Sequence, residues 1–164
     1  MRVRIFLFII VASKNKIMCL YTSQRVPKIA ESPIRCLKVV DVVGGEFVPH
    51  FVYNSRVRYV VGEETCTFLD AKRFGNAVVH GLHVFSEGNA LAAQVDEVTD
   101  PVAVLECEIP VGARYYAGSV TYFSAAYCHG HTAYCTERLR VIRRLGDDEV
   151  EELKKKQTGD VSYQ

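Results

Sequence analysis

Two cysteines and two histidines lie within eight residues of this chain, in the stretch CHGHTAYC. They are Cys128, His129, His131 and Cys135. Thiolate and imidazole groups bind Zn²⁺, but structural zinc sites usually space them as C-x₂₋₄-C and H-x₃₋₅-H. The adjacent Cys128 and His129 would point to opposite sides of an extended chain. We therefore predict a loop between two strands, held by Gly130, and no metal site.

A Cys–His nucleophilic site needs a thiolate beside a base and a third group that orients the base. Cys135 with His129 or His131 meets only the requirement of composition. His80 and His83 are other candidate bases, but residues three apart in a strand face opposite sides of the sheet. For each of these histidines we predict a hydrogen-bonded or solvent-exposed side chain.

Two carboxylates, Glu106 and Glu108, share one face of a predicted strand, and Arg138 and Arg140 have the same spacing on another. Paired carboxylates can act in acid–base catalysis. Cross-strand Glu–Arg pairs explain both spacings without catalysis, and we favour that interpretation. The alternative is a phosphate-binding cluster made of Arg138, Arg140, Arg143 and Arg144.

The elements that must position these residues are mainly strands. Residues 102–109 alternate most clearly, with Leu105 and Ile109 on one face and Glu106 on the other. Residues 33–43 read as a buried strand, and residues 78–85 as a strand interrupted by Gly81, which indicates a bulge or a close backbone approach. Residues 46–54 contain Pro49, which suits an edge strand or a loop. Residues 55–64, 113–123 and 136–145 complete the predicted strands.

Two helices are predicted. Ser86 is a plausible N-cap for a short internal helix over residues 87–95. The stretch DDEVEELKKK, from Asp147, has acids first and lysines last, which matches the helix dipole. We divide the chain into an N-terminal extension (1–17), a domain (18–145) and a C-terminal helix with its tail (146–164).

The charge is unevenly distributed. The chain of 164 residues has a formal charge of +1, and residues 1–17 contribute +4 of it, which leaves −3 for residues 18–164. Strong non-specific binding to nucleic acid needs a net basic face, so we do not expect it. Six scattered cysteines are more typical of free thiols in the cytoplasm than of a disulfide scaffold.

The N-terminal extension leaves three interpretations open. Residues 5–12 are apolar and lie between basic or polar residues, but eight residues are too few for a membrane-spanning helix. The extension is a sequence upstream of a true start at Met18, a short signal or membrane anchor, or a buried strand. We expect membrane association only if it is an anchor.

Several stretches carry a resemblance to known proteins. MCLYTSQRVPKIAESPIRCLKVV, HGLHVFSEGNALA, VAVLECEIPVGARYYAG and YCTERLRVI resemble a family of small uncharacterised proteins of bacteriophages and bacterial mobile elements. The resemblance covers most of residues 18–145 and favours Met18 as the start. It implies no activity.

A second resemblance concerns the order of GLHVFSEGNALAAQ, AVLECEIPVGARYY and TERLRVIRRL, which is similar to the second half of the ADP-ribosyltransferase fold. It implies binding of NAD or a related nucleotide. Arg35, His83 and Glu137 would then be the catalytic or NAD-binding residues, and Phe85 and Tyr122 would stack on the nicotinamide. The chain lacks that family's opening motif and its Ser-Thr-Ser motif.

From these observations we predict a single α+β domain with a curved, mainly antiparallel sheet, one short internal helix and a C-terminal helix. The predicted function is that of a small cytoplasmic accessory or binding protein of a phage or mobile element, without catalysis or a cofactor and with an unknown partner. Its curved sheet would form the binding cleft. The alternatives are an ADP-ribosyltransferase-like protein, either active or inactive, and a zinc-stabilised module.

Overall fold

The fold is mainly β. The structure is a computed structural model, and it describes residues 20–50, 57–70, 77–89, 92, 101–120 and 132–158. Within these ranges the chain forms an 11-stranded sheet and one helix at the C-terminal end. The predicted α+β class is therefore wrong. The prediction failed because it gave the helices a weight similar to that of the sheet, whereas β-branched and aromatic runs dominate the chain.

The strands are short except at the centre of the sheet. The longest are β3, β8, β9 and β11, and several edge strands have only two or three residues. In chain order the strands are β1 (Leu20–Tyr21), β2 (Lys28–Ile29), β3 (Ile34–Val43), β4 (Glu46–Pro49), β5 (Glu64–Cys66), β6 (Ala77–Val78), β7 (Leu82–Ser86), β8 (Val102–Ile109), β9 (Arg114–Val120), β10 (Thr132–Thr136) and β11 (Arg138–Arg144).

Every strand pair among the described residues is antiparallel, in the order β5-β11-β8-β3-β7-β10-β9-β1-β6, with β2 beside β9 and β4 beside β3. Strand β3 is central because it pairs with β8 along eight positions, from Ile34↔Ile109 to Asp41↔Val102. Its other edge is shared by β7 and β4. The antiparallel part of the prediction is confirmed.

The sheet is buried on both faces. Strands β3 and β8 alternate between two core clusters, so neighbouring residues such as Val104 and Leu105 are both buried, on opposite faces. The helix-side core consists of Leu20, Leu37, Val39, Leu69, Val78, Phe85, Ala92, Val104, Tyr116, Ala133, Cys135, Leu145 and Leu153. The far-side core consists of Ala30, Cys36, Val40, Tyr59, Leu82, Val84, Ala103, Leu105, Cys107, Ile109, Ala113, Leu139 and Val141.

The interruption at Gly81 is confirmed. Gly81 has a φ of 144° and separates β6 from β7. A Cβ at this position would overlap the Sγ of Cys135 and would lie 2.9 Å from a methyl group of Leu69. A glycine is therefore required for the close approach of the chain to β10.

Two other local predictions are wrong. Ser86 is the last residue of β7 rather than a helix N-cap, because it pairs with Cys36 of β3. Most of the predicted internal helix lies outside the described residues. In the predicted strand over residues 55–64, Tyr59 makes only an isolated bridge to Phe47, and the strand β5 begins at Glu64. Tertiary burial of Tyr59, which is 2% exposed, replaced regular pairing there.

The C-terminal helix, α1 (Asp147–Thr158), has Asp147, Asp148 and Glu149 in its first turn and Lys155 and Lys156 in its last. The C-terminal helix predicted from this order of charges is therefore confirmed. Leu153 joins the helix-side core and Val150 packs against it, so the helix lies on the sheet. No helix within the described ranges is long and apolar enough to cross a membrane.

Candidate functional site

A cleft of about 270 Å³ lies between α1 and the sheet. Strands β3, β8 and β11 supply its inner wall, the turn after β7 supplies one rim, and α1 supplies the other. The lining residues are Arg35, Cys36, Leu37, Glu87, Gly88, Glu106, Arg143, Leu145, Glu149, Glu152, Leu153 and Lys156.

The floor of the cleft is apolar. Leu37, Leu145 and Leu153 belong to the helix-side core and are 4%, 9% and 7% exposed. Leu37 faces the helix because it alternates with Cys36 and Lys38, which point to the other side of β3. The floor is therefore a continuation of the core that the helix does not cover completely.

A β-bulge places Arg143 on this wall. Val141 pairs with Cys107 and Arg143 pairs with Glu106, so two steps along β11 correspond to one step along β8. Without the extra residue, Ile142 would occupy the position opposite Glu106, and Arg143 would turn to the far-side core. The bulge thus gives the cleft an arginine instead of an isoleucine.

Four charged side chains form a chain of ion pairs along the cleft. Arg35 Nη1 lies 3.3 Å from Glu106 Oε1, and Arg143 Nε donates to Glu106 Oε2 at 2.6 Å. Arg143 also donates to both carboxylate oxygens of Glu149, at 2.8 and 2.7 Å. Glu106 and Arg143 therefore connect the sheet to the helix.

Glu149 also closes the N-terminus of α1. Its Oε2 accepts a hydrogen bond of 2.8 Å from the backbone N–H of Gly146, three residues earlier, as in one half of a capping box. The hydrogen bonds that Glu149 accepts from Arg143 and Gly146 lower its pKa to about 2, and those that Arg143 donates to Glu149 and Glu106 raise the pKa of Arg143. Both groups consequently stay charged at neutral pH.

Three charged groups of the cleft, one on its wall and two on its rims, retain binding capacity. Among the described residues, Glu87 and Lys156 have no ion-pair partner, and both are exposed. Arg35 uses one N–H donor, in the 3.3 Å contact with Glu106, and its side chain is 45% exposed. The cleft therefore presents both charge signs above an apolar floor.

The residues predicted from the ADP-ribosyltransferase resemblance are not brought together by the strand register. Glu137 follows the Thr136↔Leu82 pair at one end of β7, whereas Arg35 precedes the Cys36↔Ser86 pair at the other end. The four steps from Leu82 to Ser86 span about 13 Å, at about 3.3 Å per residue. Arg35 lines the cleft beneath α1, and Glu137 does not.

His83 and Phe85 lie within the protein. His83 is 4% exposed, and its Nε2 lies 3.0 Å from the backbone oxygen of Val78. Burial lowers its pKa to about 4, so the imidazole is neutral at pH 7. Phe85 is 1% exposed in the helix-side core and presents no free ring face for stacking. Tyr122 lies outside the described residues.

Glu137 holds an arginine. Its Oε1 accepts from the backbone N–H of Arg114 at 3.0 Å, and its Oε2 accepts from Arg114 Nε and Nη2 at 2.9 and 2.7 Å. These hydrogen bonds lower the pKa of Glu137. The carboxylate thus joins the start of β9 to the junction of β10 and β11.

The four arginines considered for phosphate binding are dispersed. Arg138 donates to Glu64 at 2.6 Å, and Arg144 lies 6.0 Å from the centroid of the Phe47 ring. Arg140 is the cross-strand neighbour of Glu108, as predicted, and Arg143 lines the cleft. Glu106 departs from the predicted pairing because the bulge gives it Arg143 as a partner.

Of the CHGHTAYC stretch, Cys135 is described and Cys128, His129 and His131 are not. Cys135 is buried in β10 opposite His83. The described cysteines are Cys36, Cys66, Cys107 and Cys135, and none of them forms a disulfide with another. Within the described ranges no group of three or more His, Cys, Asp or Glu side chains could hold a metal ion.

Sequence reasoning did not single out Glu87, Glu149 or Lys156. The acidic first turn of α1 was a signal for Glu149 as a helix-capping residue, but not for its contact with β11. The position of Glu87 depends on the end of β7, which was predicted to be a helix start.

No family model matches the chain, and no curated protein or solved structure gives a significant match.

Proposed function

We propose that this protein is a small binding protein without a catalytic role, and that its ligand occupies the cleft between α1 and the sheet. One observation carries the proposal: an apolar floor of buried leucines lies beneath a wall and rim of charged side chains. Ligand sites commonly combine a mostly apolar surface with a few polar groups that fix orientation.

The protonation states of the cleft support binding rather than acid–base catalysis. A general acid or base must exchange a proton near the working pH. Glu149 has a pKa of about 2, and the pKa of Arg143 is raised, so neither group exchanges protons at neutral pH. Both act as fixed charges that hold the helix against the sheet.

The proposal extends to the biological setting. The resemblance of residues 18–145 to small proteins of bacteriophages and mobile elements supports an accessory role in such an element. The described cysteines form no disulfide with one another, which supports a reducing cytoplasm as the compartment.

The volume of the cleft limits the size of the ligand. At about 270 Å³ it lies just below the range of about 300–1,000 Å³ that is usual for drug-sized ligands. A dinucleotide such as NAD is too large to be enclosed there. The cleft therefore suits a small metabolite or a single terminal group of a larger molecule.

The test is a fragment screen of the full chain by amide NMR, with each fragment at about 1 mM. We expect some fragments to shift the amide signals of Leu37, Gly88, Leu145 and Leu153 together. Glu152→Trp, which places an indole at the mouth of the cleft, should abolish these shifts. Glu151→Trp is the matched control, because Glu151 is exposed on the same helix and does not line the cleft.

Two results would contradict the proposal. One is that no fragment shifts this set of amides. The other is that the same shifts persist in Glu152→Trp, which would place the binding site elsewhere on the molecule.

A further inference from the structure

We infer that the ligand of the cleft is a zwitterion of amino-acid size, with an apolar side chain, a carboxylate and an ammonium group. This inference rests on the proposed function, and it names the class of ligand. The argument starts from which charged groups in the cleft are already paired.

Paired groups contribute little to ligand selection. Arg143 donates to Glu106 and to both oxygens of Glu149, and Glu149 also accepts from Gly146. Breaking these bonds to contact a ligand would leave charges without partners. The ligand is therefore selected by the charged groups that can still form hydrogen bonds or ion pairs, which are Arg35, Glu87 and Lys156.

These three groups have opposite signs. Arg35 and Lys156 can donate to a carboxylate, and Glu87 can accept from an ammonium group. A carboxylate and an ammonium group on one small molecule would use both kinds of partner at the same time. A ligand with one charge would use only one kind.

The charge balance of the lining points to the same class. The lining has three cations and four carboxylates. One carboxylate, Glu152, is paired with Lys155, which does not line the cleft. The remaining charges cancel, so a ligand without net charge keeps the cleft neutral, whereas a singly charged ligand adds an unbalanced charge.

The floor specifies the third part of the ligand. Leu37, Leu145 and Leu153 supply the apolar part of the lining, and removing an apolar group of the ligand from water against them is favourable. An amino acid such as leucine has all three features within the available volume.

The experiment compares three ligands that share one branched carbon skeleton. L-leucine has both charges, 4-methylpentanoate lacks the ammonium group, and isopentylamine lacks the carboxylate. Titration calorimetry on the full chain should show leucine binding at least tenfold more tightly than either analogue. Glycine, which lacks the side chain, should also bind at least tenfold more weakly than leucine.

Two substitutions test which side chain of the protein contacts which charged group of the ligand. Glu87→Gln should weaken the binding of leucine and of isopentylamine and leave the affinity for 4-methylpentanoate unchanged. Lys156→Gln should weaken the binding of leucine and of 4-methylpentanoate and leave the affinity for isopentylamine unchanged. Lys154→Gln is the control, because Lys154 pairs with Glu151 outside the cleft. All three residues are exposed on the surface, so these variants should fold.

The inference is overturned if leucine does not bind, or if one of the singly charged analogues binds as tightly as leucine. The fragment screen separates this failure from that of the proposed function. If fragments shift the cleft amides while leucine does not bind, the cleft is a binding site for another class of ligand. If neither fragments nor leucine act there, both proposals fail.

Discussion

His83 is an ionisable side chain in the interior that stays uncharged. It is 4% exposed, its Nε2 faces the backbone oxygen of Val78, and burial lowers its pKa from 6.5 to about 4. Its partner across the ladder is Cys135, another buried residue. The side chain therefore has a structural role, and the cost of charging it links the stability of the fold to pH.

We expect the free energy of unfolding to fall by about 2 kcal/mol between pH 7 and pH 5 because of His83. The unfolded chain binds a proton near pH 6.5 and the folded chain only near pH 4, so acidification favours the unfolded state within this window. Urea denaturation at several pH values measures the fall, which should largely disappear in His83→Gln. In His80→Gln, where the replaced side chain is 67% exposed, the fall should persist. An unchanged fall in His83→Gln would contradict the prediction.

Lys38 is a second buried ionisable group, on the other side of the sheet. It is 2% exposed, its Nζ donates to the backbone oxygen of His83 at 2.7 Å, and it lies 5.6 Å from the centroid of the Tyr59 ring. Burial lowers its pKa from 10.5 to about 8. The folded protein thus releases this proton at a lower pH than the unfolded chain does.

Between pH 7.5 and 9.5 this difference should raise the free energy of unfolding by about 2 kcal/mol, because the unfolded chain holds the proton longer. The thiols of Cys36 and Cys107, whose pKa values burial raises, act in the opposite direction over the same range. We therefore compare wild type with Lys38→Met. The unfolding free energy of wild type, relative to this variant, should rise by about 2 kcal/mol in urea experiments between these two pH values. The unfolding free energy of wild type relative to Lys28→Met, which replaces an exposed lysine and keeps Lys38, should show no such rise. An equally flat difference between wild type and Lys38→Met would contradict the prediction.

At the scale of the elements, the junction between β6 and β7 depends on the lack of a side chain at Gly81. This residue combines a positive φ with contact distances that leave no room for a Cβ. Gly45, in the turn between β3 and β4, also has a positive φ, of 80°, but has no atom within 4 Å of a Cβ position. A comparison of substitutions at the two glycines therefore distinguishes the cost of backbone strain from the cost of steric overlap.

Gly81→Ala should therefore cost about 1–3 kcal/mol more than Gly45→Ala, because it adds overpacking to backbone strain. Thermal or urea denaturation of both variants and of the wild type measures the difference. Equal losses of stability would show that the surroundings of Gly81 yield easily, and would contradict the close approach to Cys135.

At the scale of the whole molecule, the two cores are not independent. Strands β3, β7 and β8 each contribute side chains to both the helix-side core and the far-side core. Strand β3 also pairs with β8, β7 and β4, so its loss would open both cores together. The described part of the chain should unfold as one cooperative unit.

We expect one urea transition with the same midpoint for backbone circular dichroism and for the near-ultraviolet signal of the tyrosines. Leu37→Ala in the helix-side core and Leu105→Ala in the far-side core should each shift that single transition, at a cost of about 2–5 kcal/mol. Separate midpoints for the two signals, or a second transition in either variant, would mean that the cores unfold independently.

The local features could be predicted from single segments of the chain. The alternation in β8 correctly placed Leu105 and Ile109 in the core and Glu106 on the opposite face of the strand, because a period of two is a property of the strand alone. The charge order of α1 was likewise sufficient, since the helix dipole acts within one element. Gly81 likewise indicated the interruption between β6 and β7.

The contacts that these local features make depend on how distant segments pair. The bulge in β11 sets the register that gives Arg143 to the cleft, and a bulge arises from the pairing of two strands rather than from one. Lys38 is buried because Tyr59 and the far-side core cover a position that a sequence pattern leaves polar. The predicted set of Arg35 and Glu137 likewise depended on which ends of which strands adjoin. Such non-local pairings involve residues far apart in the chain, and hydrophobic periodicity carries no information about them.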